Sequence, residues 1–110
     1  MNSAAKHDSG KPMPELLPFA ALEQVSMVLA FGAEKYAPHN WRAGDGLAWS
    51  RLLGAALRHL MAWGAGEDND KETGLSHLAH TCCCALFLLS YAIEGGGQDD
   101  RWRRPHKDRD

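Results

Sequence analysis

From Arg58 to His80 the chain reads RHLMAWGAGEDNDKETGLSHLAH, and this stretch constrains the fold more than any other. Gly64-Ala65-Gly66 ends one segment of helical period, an acidic loop follows, and His77 and His80 open the next helical segment, so a helical hairpin is expected. The loop carries Glu67, Asp68, Asp70 and Glu72. Three residues make about one helical turn, so His77 and His80 share a face that Cys84 continues. Oxygen and nitrogen donors therefore collect within one hairpin.

Helical spacing extends to both sides. Pro18 suits a first turn, and Leu22, Val25, Leu29, Gly32 and Tyr36 recur at helical intervals, predicting a first helix over about 18–36. A second helix is expected over about 47–63, capped by Asp45, with Leu53, Ala56, Leu57, Leu60 and Trp63 as its apolar stripe. A third, over about 74–94 and capped by Asp70 or Thr73, is expected to bury Leu75, Leu78, Cys82, Leu86, Leu89 and Ile93. The expected architecture is all-α, a small bundle of three to four main helices completed by oligomerisation. Residues 1–14 read as a flexible leader, 15–95 as the helical catalytic domain and 96–110 as a polar, mobile tail from which Trp102 could dock on a neighbouring subunit.

Composition removes several function classes. A formal net charge of −2 argues against a general nucleic-acid binder, and the apolar run from Leu75 to Ile93 is broken by Ser76, His77, His80, Thr81 and Ser90, which argues against a membrane span. A cytoplasmic chain is expected. Cys82, Cys83 and Cys84 are consecutive, hence about 100° apart on a helix, and cannot converge on one tetrahedral metal; they read as reduced thiols. The acidic loop is no EF-hand, because Thr73 stands where the required glycine belongs and no Glu closes a twelve-residue loop. No glycine-rich phosphate loop is present, so phosphate handling falls to metal and to cationic side chains.

Several segments together carry a resemblance: KPMPELLP at 11–18, FGAEKY at 31–36, Asn40-Trp41, ALRHLMAW at 56–63, the loop from Gly66 to Asp70, and GLSHLAH at 74–80. In order and spacing they resemble the phage dATP/dGTP diphosphohydrolases, distant members of the MazG-like all-α nucleoside triphosphate pyrophosphohydrolases. The resemblance spans roughly Lys11 to Glu94. It implies a divalent metal (Mg²⁺, Mn²⁺ or Co²⁺), a homodimer or homotetramer, and hydrolysis of dATP or dGTP to the monophosphate and pyrophosphate in phage nucleotide-pool control within the host cytoplasm. The ExxE and ExxD helix motifs of the wider superfamily are missing here. Arg58-His59 and His77-Leu78-Ala79-His80 stand at the corresponding places, and Glu67 and Asp70 spell ExxD only within the loop. Histidine donors favour Mn²⁺, Co²⁺ or Zn²⁺ over Mg²⁺.

The site expected from these residues has Glu34, Asp70, His77 and His80 as metal ligands, with His59 as ligand or general base beside Glu34 and Asp70. Lys35, Arg58 and Lys11 are expected at phosphates, and Asn40 and Trp41 at the purine base. Two other readings compete: an HD-type phosphohydrolase, whose only His-Asp dipeptide here is His7-Asp8, and a non-enzymatic helical adaptor with a structural metal.

Overall fold

The computed structural model describes residues 4, 5, 7 and 9–103. Among these, α1 spans Phe19–Lys35, α2 spans Trp49–Gly64 and α3 spans His77–Glu94, with short 3-10 turns at Pro14–Leu16 and Asn40–Arg42 and no β-strand. The all-α expectation holds, and each predicted helix is present with its ends displaced by at most three residues. Helix α3 is the middle element and packs against both α1 and α2. Asp8 of the His-Asp dipeptide, and Arg104, Lys107 and Arg109 of the expected tail, lie outside the described residues.

The buried face of α3 is not the one its large side chains suggest. His77, Ala79, Cys83 and Tyr91 are buried, and Ala79 and Cys83 meet Val25 and Val28 of α1 in a core flanked by Leu75 and Phe87. Small side chains at 79 and 83 admit close helix approach, so the neighbours settle there. Leu78, Cys82, Leu86, Leu89 and Ile93, expected inside, face outward, with Leu89 57% and Ile93 75% exposed. On α1 only Val25 of the expected stripe is buried, and on α2 Leu52 is buried while Leu53, Leu57, Leu60 and Trp63 stay largely exposed. The chain alone therefore covers only part of its apolar surface. By length and composition α3 could also cross a membrane, at mean hydropathy 1.3. Its first turn, however, is tied into the polar cluster described below.

Asp45 does not cap α2. Ala48 takes the N-cap position without a side-chain bond, and the carboxylate comes from beyond α3: Asp100 accepts from the Ser50 amide at 2.8 Å and from its hydroxyl at 2.5 Å. Residues 96–100 reach that place by pairing with 47–50, where the Trp49 amide donates to Gln98 at 2.9 Å and the Gln98 amide donates to Leu47 at 3.1 Å. The Trp49 indole donates to the Gly96 carbonyl at 2.9 Å, and the Tyr91 hydroxyl accepts from the Leu47 amide at 3.1 Å while donating to the Trp41 carbonyl. Glycine is required at 97, where φ is +66° and a Cβ would lie 2.6 Å from the Leu47 carbonyl oxygen. Part of the expected tail is thus a clasp on the bundle.

Candidate functional site

The loop between α2 and α3 is closed by backbone pairing. The Asp70 amide donates to Leu75 at 2.8 Å, and the His77 amide donates to Asp68 at 2.9 Å. Ser76 caps α3 by accepting from the Leu78 amide, displacing both caps expected from sequence. Asp70 instead turns inward, accepting from the amides of Glu72 at 3.1 Å and Thr73 at 3.0 Å. This closure seats the loop's side chains against His59 on α2 and His77 and His80 on α3.

His77 is 4% exposed and holds the centre. Its Nε2 lies 2.6 Å from Glu67 Oε2, and its Nδ1 lies 2.8 Å from His59 Nδ1. The His59 ring stacks on that of His80, with centroids 4.4 Å apart and planes within 10°. His80 Nε2 lies 2.7 Å from the Thr73 hydroxyl, which also approaches Asp70 at 3.3 Å and accepts the Leu75 amide at 3.1 Å. Burial, reinforced by the nearby His80, His77 and Arg58, holds His59 below the ordinary imidazole range. Burial likewise lowers His80, outweighing the pull of Asp70. For Asp70 burial acts upward, but the hydrogen bonds from Thr73 and the nearby imidazoles overcome it and keep the carboxyl below its usual range. His59 and His80 are thus biased toward the neutral imidazole and Asp70 toward the carboxylate, the forms in which such groups bind metal.

Among the described residues, His59, Asp70 and His77 place donor atoms within 4.8 Å of one another. Of the residues expected at a metal, the structure brings His59, Asp70 and His77 together, while Glu34 and His80 stand outside this triangle. Glu34 is exposed on the last turn of α1, and His80 directs its Nε2 to Thr73. The roles of Glu67 and Thr73 were missed, because their distances to His77 and His80 depend on how the loop closes. Nothing in the spacing alone marks them.

Beside the cluster runs an open, mostly apolar groove of about 840 Å³ between the end of α1, the 37–42 loop and α3. His80, Thr73, Glu72, Lys35, Asn40 and Trp41 are among the residues that line it. Lys35 is bonded to Glu72 at 2.9 Å, which raises its pKa. Trp41 stacks on Phe87 at 4.4 Å with the Arg42 guanidinium over its ring, so it is held in place from within the fold. Arg58 is exposed on α2, and a Cβ at Gly54 would come within 3.1 Å of its Nη1. Lys11 lies on the exposed leader. A second depression of about 870 Å³ beside the clasp is lined half by glycines, with Arg42, Asp45 and Glu94 among the rest, and has no histidine in its lining. Cys83, pushed up to about 12 by burial, is an inert core thiol.

A family model described as "dATP/dGTP diphosphohydrolase, N-terminal" matches residues 1–101. A dATP/dGTP diphosphohydrolase of Salmonella phage PMBT28 is 38% identical over 96 residues, covering 87% of this chain and 32% of that protein. The chain thus spans about a third of the length of that curated relative. No solved structure matches.

Proposed function

The chain belongs to the family of dATP/dGTP diphosphohydrolase N-terminal domains, and from that membership we propose that the histidine cluster and its groove form a site that hydrolyses dATP and dGTP to the monophosphate and pyrophosphate. The observation that carries this reading is the continuity between the two. His80 and Thr73 belong to the polar cluster and also line a groove whose volume suits a nucleotide.

Two imidazoles and one carboxylate with converging donor atoms suit a divalent ion, so His59, Asp70 and His77 would hold it. Mn²⁺ or Co²⁺ fits this donor set better than Mg²⁺. Such an ion, when bound, polarises a phosphoryl oxygen and lowers the pKa of water. The chain's own residues do the rest. Asp70 is held ionised by the Thr73 hydrogen bonds, and His80, kept neutral and fixed by Thr73, faces the groove as a proton acceptor. Lys35 at the groove wall exchanges Glu72 for a phosphate oxygen, with Arg58 and the leader's Lys11 as further cations. Asn40 offers its amide to the purine edge, and Trp41 gives the base an aromatic wall.

The uncovered row of Leu86, Leu89 and Ile93 supports a homodimer or homotetramer built on α3. We place the activity in the host cytoplasm, where phage nucleotide pools lie. The test is pyrophosphate release from each purine deoxynucleoside triphosphate with Mg²⁺, Mn²⁺ or Co²⁺. Release from dATP or dGTP with Mn²⁺ or Co²⁺ is expected, and no release under any of the three metals overturns the reading.

A further inference from the structure

Glu67 touches none of the groove and is no member of the donor triangle, yet its carboxylate makes one of the two contacts on the most buried imidazole of the cluster. An ionised carboxylate only accepts hydrogen bonds, so at 2.6 Å from Glu67 the His77 Nε2 must carry the hydrogen. In a neutral imidazole the lone pair then resides on Nδ1, which is the atom that faces His59 at 2.8 Å. Without Glu67 the two tautomers of His77 would compete, and one of them turns an N–H toward the donor triangle. A partly exposed glutamate thus decides which atom a buried histidine presents.

We infer that Glu67 is a positioning residue: through its hydrogen bond to Nε2 it fixes the His77 tautomer, so that Nδ1 is the donor atom offered together with His59 and Asp70 to a divalent cation. The inference rests on the metal reading above for its consequence, though not for its geometry. Lys71, 3.7 Å from the second oxygen of Glu67, leaves the Oε2 contact to His77 undisturbed. Carboxylate partners of this kind orient and strengthen an imidazole ligand, and losing one costs about ten- to hundredfold in metal affinity.

Nitrogen-15 NMR of the metal-free protein, at a pH where the imidazoles are neutral, reads the tautomer directly, and calorimetric titration with Co²⁺ alone reads affinity. The parent should show His77 protonated on Nε2. Glu67→Ala should mix the tautomers and weaken Co²⁺ by about ten- to hundredfold, whereas Glu67→Gln, which keeps an oxygen acceptor, should lose less of both. A parent carrying its His77 hydrogen on Nδ1 overturns the inference. So does a Glu67→Ala protein that holds Co²⁺ within about twofold of the parent while His77→Ala does not. If the parent binds no Co²⁺ the metal reading falls, and the tautomer in Glu67→Ala still decides what Glu67 does.

Discussion

The two ends of the α2–α3 pair are both polar and both half-buried, but their hydrogen bonds go to different places. At the clasp, side chains chiefly bond the main chain: Tyr91 serves Leu47 and Trp41, Trp49 serves Gly96, and Asp100 caps α2 at the Ser50 amide while also taking the Ser50 hydroxyl. At the hairpin Asp70 and Thr73 also accept main-chain amides, but there imidazoles bond other side chains as well, in the chain Glu67–His77–His59 and in the pair Thr73–His80. Bonds between side chains are a small minority in folded proteins. Where they join imidazoles beside a groove they point to chemistry; where side chains satisfy peptide groups, they hold the fold. By that difference the hairpin end, and not the clasp, is the one we propose as the site.

Exchanging damage between the ends tests the contrast. His77→Gln should lower dATP and dGTP turnover by at least a hundredfold, exceeding the loss typical of an outer-shell partner, with helicity kept. Steady-state pyrophosphate release and circular dichroism on one preparation measure both, and retained turnover would remove His77 from the site. His80→Gln should also depress turnover, but with metal content preserved, since His80 lies outside the donor triangle. Equal loss of metal in the two variants would erase that distinction.

Tyr91→Phe should do the reverse. It unpairs the Leu47 amide and the Trp41 carbonyl, at a cost of about 1–3 kcal/mol, while turnover per folded molecule stays at the parental level. A calorimetric scan with a parallel assay checks it, and lost activity at full stability would mean that the clasp takes part in catalysis. Asp100→Ala should lower the melting temperature by less, because Ser50 and its carboxylate are exposed and water replaces the cap.

The smallest effect expected is on pH. His59 and His80 are held below the ordinary imidazole range, so the unfolded chain takes up protons first as pH falls. In chelator-treated protein their contribution is complete above about 6.5, the unfolded value, and is lost as pH drops through the depressed folded values. Urea melts should show stability falling over that window, with a shallower fall in His59→Gln. A flat or rising profile would mean that His59 and His80 are not held neutral in the folded protein.

What the sequence determined on its own were the three helices, their breaks, and the gathering of carboxylates and imidazoles into one hairpin. These are local matters: helical period, glycine stops, and the turn of helix that sets His77 and His80 on one side. Family membership was legible too, in the order of short segments such as RHLMAW and GLSHLAH. Only tertiary structure decided which face of α3 is buried. Periodicity weighs the apolar size of side chains, whereas close helix approach selects the small ones, Ala79 and Cys83, and leaves the leucines outside. Tertiary structure also replaced Asp45 by Asp100 as the cap of α2, since a cap can come from anywhere the chain returns to. The same holds for the site: Glu34 was expected as a ligand but stays exposed on α1, while Glu67 and Thr73 reach the histidines because backbone pairing closes the loop between Asn69 and Ser76. Ligand distances are set by that closure, and a one-dimensional pattern does not encode it.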